Sequence, residues 1–173
     1  MKKAAFAAGC FWGVEKIFAE LPGVISTQAG YAGGRTEHPT YEDVCTGRTG
    51  HAEAVEITYD PAKISYEKLL LAFWQYHDPT TQDRQGPDVG SQYRSIIFYF
   101  DDAQNKSARQ SKKRLDESGI FKKPIVTEIV PASTFRRAEE YHQNYLKKNP
   151  GGYCSHYFQS PKIAEVLRPL LPR

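Results

Sequence analysis

The residues with most chemistry to offer are three cysteines, one misplaced carboxyl and a set of loop tyrosines. Cys10 stands in "AAGCFWGVEK", Ala7 to Lys16, between a small-residue strand-like run and a helical pattern. A thiol at a helix start meets free backbone N–H groups and the positive end of the helix dipole, which stabilise the thiolate and lower its pKa. Gly9 permits a tight elbow there and the close approach of a ligand. Local pattern leaves two readings open, a reactive cysteine or a small buried hydrophobe. Phe11 and Trp12 follow at once and either join the core or wall an apolar pocket beside the sulfur.

The run "AEAVEITYD" from Ala52 to Asp60 alternates as a strand. Period two puts Glu53, Val55, Ile57 and Tyr59 on one face and Ala54, Glu56, Thr58 and Asp60 on the other. Glu56 reads as a surface acid, whereas Glu53 leads the apolar face. A carboxyl desolvated there holds its proton to higher pH and can act as a general acid. The competing reading is a strand-end glutamate that reaches water. Tyr41 and Tyr93 fall in two polar loops, and Tyr153 adjoins Cys154. Phenols donate hydrogen bonds without bringing charge. Cys154 follows the flexible "NPGG", so its thiol can travel to another cysteine, whereas nothing local distinguishes Cys45.

The elements that must position these groups alternate between strand and helix. Strands are expected at Lys3–Ala8, from Val24 until the chain dissolves into glycines, at Ala52–Asp60, Ser95–Phe100 and Ile125–Val130. Helices are expected from Val14 to Leu21, from Ser65 to His77, from Asp101 or Asp102 to Gly119, from Phe135 to Leu146, and after Ser160-Pro161. Gly30–Gly50 and Asp78–Tyr93 read as long polar loops, long enough to carry function. The fold class is α/β or α+β: four to six strands with helices against the sheet, in one domain of residues 1–173. The tail from 150 to 173 is expected to be loosely packed.

The formal charge of +3 is too mild for a nucleic-acid partner, and the basic run "SKKR", Ser111 to Arg114, fits a solvated helix face. No stretch reaches the length of a membrane span. The start imitates a signal peptide, but its apolar run breaks at Glu15 and Lys16, so the mature fold is expected from Lys3 onward. An odd, low cysteine count does not look like a secreted disulfide framework, so a reducing cytoplasm is the expected location. Five scattered histidines and the absence of phosphate-binding glycine motifs give no case for a metal or a nucleotide cofactor. A cysteine hydrolase pairing Cys10 with His51 or His142 stays open, as does a redox sensor whose thiols turn over nothing.

"GCFWG" at Gly9 to Gly13 resembles the active-site signature of the peptide methionine sulfoxide reductase A family. Five more blocks match in order: "GYAGG" from Gly30, "PTYEDVCTGRTGHAEAVEITYDP" from Pro39, "DVGSQYRS" from Asp88, "AEEYHQNYL" from Ala138 and "NPGGYC" from Asn149. The resemblance implies a two-layer domain with a mixed sheet, similar to the ferredoxin-like class. It implies that Cys10 attacks the sulfur of methionine-S-sulfoxide, free or in proteins, while Glu53 protonates the oxygen. Tyr41 and Tyr93 would hydrogen-bond that oxygen, Phe11 and Trp12 would hold the methyl group, and Asp88 would help place the sulfoxide through a bound water. Cys10 would become a sulfenic acid, Cys154 would resolve it as a Cys10–Cys154 disulfide, and thioredoxin would reduce that. No cofactor or metal is implied, and a monomer is expected. His142 and Tyr145 match less central positions. Some members carry a further recycling cysteine beyond the one matching Cys154; this chain has none.

Overall fold

The computed structural model describes residues 1–173. Strand β1, Lys2–Ala8, is mostly alanine around Phe6 and is buried from Ala4 onward. Helix α1, Phe11–Ala19, follows after a two-residue elbow. Strand β2, Val24–Ala32, runs two residues beyond the start of the expected glycine loop, because Gly30 and Tyr31 pair on both sides. The remaining loop carries a short helix α2, Tyr41–Cys45, nucleated by a capping box in which Thr40 and Asp43 exchange hydrogen bonds. Strand β3, Ala52–Tyr59, leads to α3, Tyr66–Gln75, whose N-terminus is capped by Ser65. The second polar loop holds a two-stranded hairpin, β4 at Arg84–Gln85 and β5 at Asp88–Val89, then a 3-10 turn at Ser91–Tyr93. Strand β6, Ser95–Tyr99, is followed by the polar helix α4, Asp102–Ser118, which ends on a left-handed Gly119. Strand β7, Glu128–Pro131, completes the parallel edge.

The sheet order is β7-β6-β1-β3-β2-β8, where β8 is Arg136–Arg137. Only β6 and β7 pair in parallel; the other neighbours are antiparallel. The inner four strands, with α1 and α3 as crossovers, form the ferredoxin-like βαββαβ unit. Phe6 stacks between Phe18 of α1 and Phe73 of α3, at centroid distances of 5.1 and 5.2 Å. It therefore clamps both helices to β1, and its truncation to alanine should cost about 3–5 kcal/mol. On the opposite face Ala5, Ala7, Ala32, Ala52 and Ala54 pack with Ile96 and Phe98. That face is covered by Val130, Ala132 and Phe135.

The helix expected over Phe135–Leu146 does not form. The segment instead gives β8, a 3-10 turn at Glu140–His142, a left-handed Asn144 and the short helix α5, Tyr145–Lys148. Distant polar groups outcompete the helical ladder here. The Gln143 amide bonds the backbone N and O of Ala29, both at 2.9 Å, and the Asn144 N–H is taken by the Glu15 carboxylate. The C-terminal tail divides in two. Residues 151–161 have no helix or strand, whereas α6, Lys162–Leu167, buries Ile163 and Leu167 against α3 and α4. The apolar spacing of Ile163 and Leu167 anchors the end of the chain.

Candidate active site

Gly9 takes φ +93°, which turns the end of β1 into α1, and Cys10 is the residue that caps the helix. The close approach that Gly9 allows is to Gln85 rather than to open space: a Cβ would lie 2.7 Å from that side chain. The Cys10 side chain is buried, with the Trp12 and Gly13 N–H groups donating toward its sulfur. The thiol is nevertheless not a standing thiolate. Burial, then the Glu53 carboxylate, push its pKa up to about 12, outweighing the two N–H groups, and Asp88 adds to the rise. The expected lowering fails because burial takes more solvation from the anion than the two N–H groups return.

Glu53 projects from β3 toward α1, opposite Tyr31 across the sheet, and is 1% exposed. Its Oε1 accepts from Phe11 N at 3.1 Å, and Oε2 has no partner. Burial raises its pKa to about 8, against the Phe11 hydrogen bond; the charge of Asp88 adds to it. At neutral pH Glu53 therefore holds a proton. That removes the carboxylate repulsion on Cys10 and leaves a neutral acid beside a neutral thiol. Glu56, on the other face, is ion-paired to Lys3 at 2.8 Å.

Tyr41 opens α2 rather than lying in a loop, and Tyr93 closes the 3-10 turn. Both hydroxyls are raised in pKa by burial and then by Glu53, so both stay protonated. The Tyr41 hydroxyl also reaches the Cys45 sulfur, which places the third thiol at the margin of the group. Phe11 is fully packed, its ring 5.7 Å from Tyr31 and 4.9 Å from His142. Trp12 is half-buried. It stacks on Tyr145 at 3.8 Å, and its Nε1 donates to His142 Nδ1 at 2.9 Å.

Asp88 faces the tail. Its two oxygens accept from Tyr153 at 3.1 Å and from Ser155 at 3.2 Å, one residue on either side of Cys154. Cys154 is exposed, and all three cysteines are free thiols. Gly13 lies between the two sulfurs. Its N–H points toward Cys10, and the place a Cβ would take is 3.0 Å from Cys154 Sγ. Cavities of about 430 and 350 Å³ flank the outer side of α1; Cys154 lines the larger and Trp12 the smaller. Cys10 and Glu53 line neither.

No group of three or more His, Cys, Asp or Glu side chains is arranged to hold a metal ion. Neither hydrolase histidine pairs with Cys10. His51 is occupied by Gly34 N and Thr36 O, and His142 by Trp12. The charges that act on the thiol are carboxylates, the opposite of a Cys–His ion pair.

The family model described as Peptide methionine sulfoxide reductase matches residues 2–169. The chain belongs to that family. Among its reductase relatives, Peptide methionine sulfoxide reductase MsrA of Methanothermobacter thermautotrophicus is 61% identical over 153 residues, covering 88% of this chain and 90% of the relative. Mxr1 from Saccharomyces cerevisiae in reduced form superposes with a TM-score of 0.86 at 38% identity, over 92% of each chain. The same protein in complex with Trx2 gives a TM-score of 0.61 at 27% identity, over 92% of this chain and 90% of that one.

Three positioning groups escaped the sequence reading. Glu139 accepts from Tyr31 OH at 2.9 Å and Tyr41 N at 3.0 Å, fixing α2 against the sheet. Glu15, buried in α1, holds Asn144 and with it the approach of Tyr145 to Trp12. His156 reaches back to Ala8 O at 2.6 Å. Glu15 carried a signal, a carboxyl four positions after Phe11 and three before Phe18 on the same helix face; the other two carried none, since their partners are 98 or more residues away.

Proposed function

We propose that the chain reduces methionine-S-sulfoxide, free or in proteins, to methionine, and so repairs oxidised proteins. The observation that carries this is the proton on Glu53, held to about pH 8, beside a buried thiol and two phenols. A sensor that only forms a disulfide has no use for a proton donor. A sulfoxide oxygen needs one before its sulfur can be attacked.

In this reading Phe11 and Trp12 hold the methyl group, and Tyr41 and Tyr93 donate to the oxygen. Asp88 helps place the sulfoxide. Glu53 passes its proton to that oxygen as Cys10 sulfur attacks, and takes the thiol proton in return. The hydroxyl then bonds the Cys10 sulfur as the substrate S–O bond and the new bond between the two sulfurs break, so methionine leaves and Cys10 is a sulfenic acid. Cys154 then displaces water to give a Cys10–Cys154 disulfide, with the 151–161 segment supplying reach. Thioredoxin reduces it by exchange; the solved complex of the relative Mxr1 with Trx2 supports that partner. We place this single-domain protein in the cytoplasm; no helix is long and apolar enough to cross a membrane.

The test is turnover with thioredoxin on the separated S and R sulfoxide epimers, followed by mapping of the disulfide formed. Reduction of the S epimer with a Cys10–Cys154 bond is expected; equal use of both epimers, or a bond through Cys45, refutes the scheme.

A further inference from the structure

His156 is two residues beyond the exposed Cys154, yet its ring is inserted against α1. Nε2 lies 2.6 Å from Ala8 O, a group that can only accept, so Nε2 carries the hydrogen and Nδ1 presents a lone pair. Nδ1 is shielded from solvent and has no hydrogen-bond partner. It points at Gly13: a Cβ there would stand 2.3 Å from Nδ1 and 3.0 Å from Cys154 Sγ. The unpartnered base and the second thiol therefore face the same point, one residue-width from the Cys10 elbow. The Cys154 thiol now leans on the His156 carbonyl at 3.9 Å.

We propose that His156 Nδ1 takes the proton of the Cys154 thiol as Cys154 attacks the oxidised Cys10. The inference rests on the reductase reading above. The Cys154 S–H bond breaks, the S–S bond forms, the Cys10 S–OH bond breaks, and the proton leaves Nδ1 with the hydroxyl as water. A neutral imidazole is required, and burial lowers the His156 pKa below its usual value, against the Ala8 hydrogen bond and the Asp88 charge. The other titratable neighbours are His77 at the end of α3 and, around the adjoining cavity, Lys16, Glu20 and Tyr76. The absence of a side chain at Gly13 leaves the room in which the two groups meet.

The experiment is a single turnover of the full chain without thioredoxin, in parent, H156Q and H156A proteins. Methionine release is followed by chromatography and disulfide formation by mass after alkylation. Dilute hydrogen peroxide is a route to a cysteine sulfenic acid that needs no sulfoxide; the oxidised cysteine is identified by mass before the disulfide step is followed, so that step is read on Cys10 even if the first reading fails. Glutamine keeps a donor for Ala8 O but has no base. In H156Q the disulfide rate should fall about a hundredfold near neutral pH. It should then climb with rising pH, as hydroxide replaces the missing base, while the parent stays flat. Added imidazole should partly restore H156A. A disulfide rate unchanged in H156Q, or lowered equally at every pH, overturns the proposal and leaves His156 as an anchor for the tail.

Discussion

The two thiols of the proposed cycle sit in opposite surroundings. Cys10 is buried at a strand–helix elbow, beside Glu53 and next to Phe11, whose ring packs on Tyr31 and His142. Cys154 is exposed on a segment without helix or strand, tethered through Asp88 and His156. The difference follows from what each must do. Oxygen transfer needs a dry place where a carboxyl keeps its proton. Resolution and exchange need a sulfur that moves and can be met by another protein. A single environment cannot serve both, because the burial that protects the Glu53 proton also denies access.

The contrast can be broken at either end. Cys10→Ser should bring sulfoxide reduction to the uncatalysed background; methionine release above it means that another thiol attacks. Cys154→Ser should release about one methionine per enzyme and then stop with thioredoxin as reductant, and continued turnover would assign resolution to Cys45. Glu53→Gln should slow methionine release by about 10²–10⁴-fold, with Glu56→Gln close to the parent.

The same carboxyl sets a pH limb. The Glu53 proton is present below about pH 8, so the sulfoxide step should decline as pH rises through that value. Stability follows the same direction. Between about 4.5 and about 8 the folded chain keeps a proton that the unfolded chain has lost, so this group's contribution falls with rising pH. Glu53→Gln should therefore raise the melting temperature more at pH 9 than at pH 6; equal shifts at the two pH values would mean that Glu53 is already ionised in the folded chain at pH 6.

Smaller changes act on the tether. Gly13→Ala improves helix propensity by about 0.5–1 kcal/mol but drives a methyl into His156 and Cys154. Limited proteolysis within 151–161 should quicken although the core is no less stable. Asp88→Asn removes one negative charge near Glu53, so the alkaline limb should move to lower pH by a fraction of a unit. A limb that stays in place would show that Asp88 acts on the tail alone.

Much of this was legible in the residues themselves. The elbow at Gly9-Cys10 and the strand from Ala52 are local patterns. Period two alone put Glu53 on the apolar face, where the structure places it. The family blocks were equally readable, because they lie in order along the chain. Local pattern failed where distant groups compete for the backbone. Phe135–Leu146 has helical spacing, yet Glu15 and the Ala29 backbone hold it in turns. The sign of the Cys10 shift was also out of reach. A helix start argues for a thiolate, and only the packed fold reveals that desolvation and Glu53 outweigh it. His156 is the clearest case of the same limit. Its place two residues after Cys154 says nothing about which nitrogen is free. That is decided by Ala8 O, 148 positions away along the chain, because a hydrogen bond depends on where folding brings an acceptor and not on spacing in sequence.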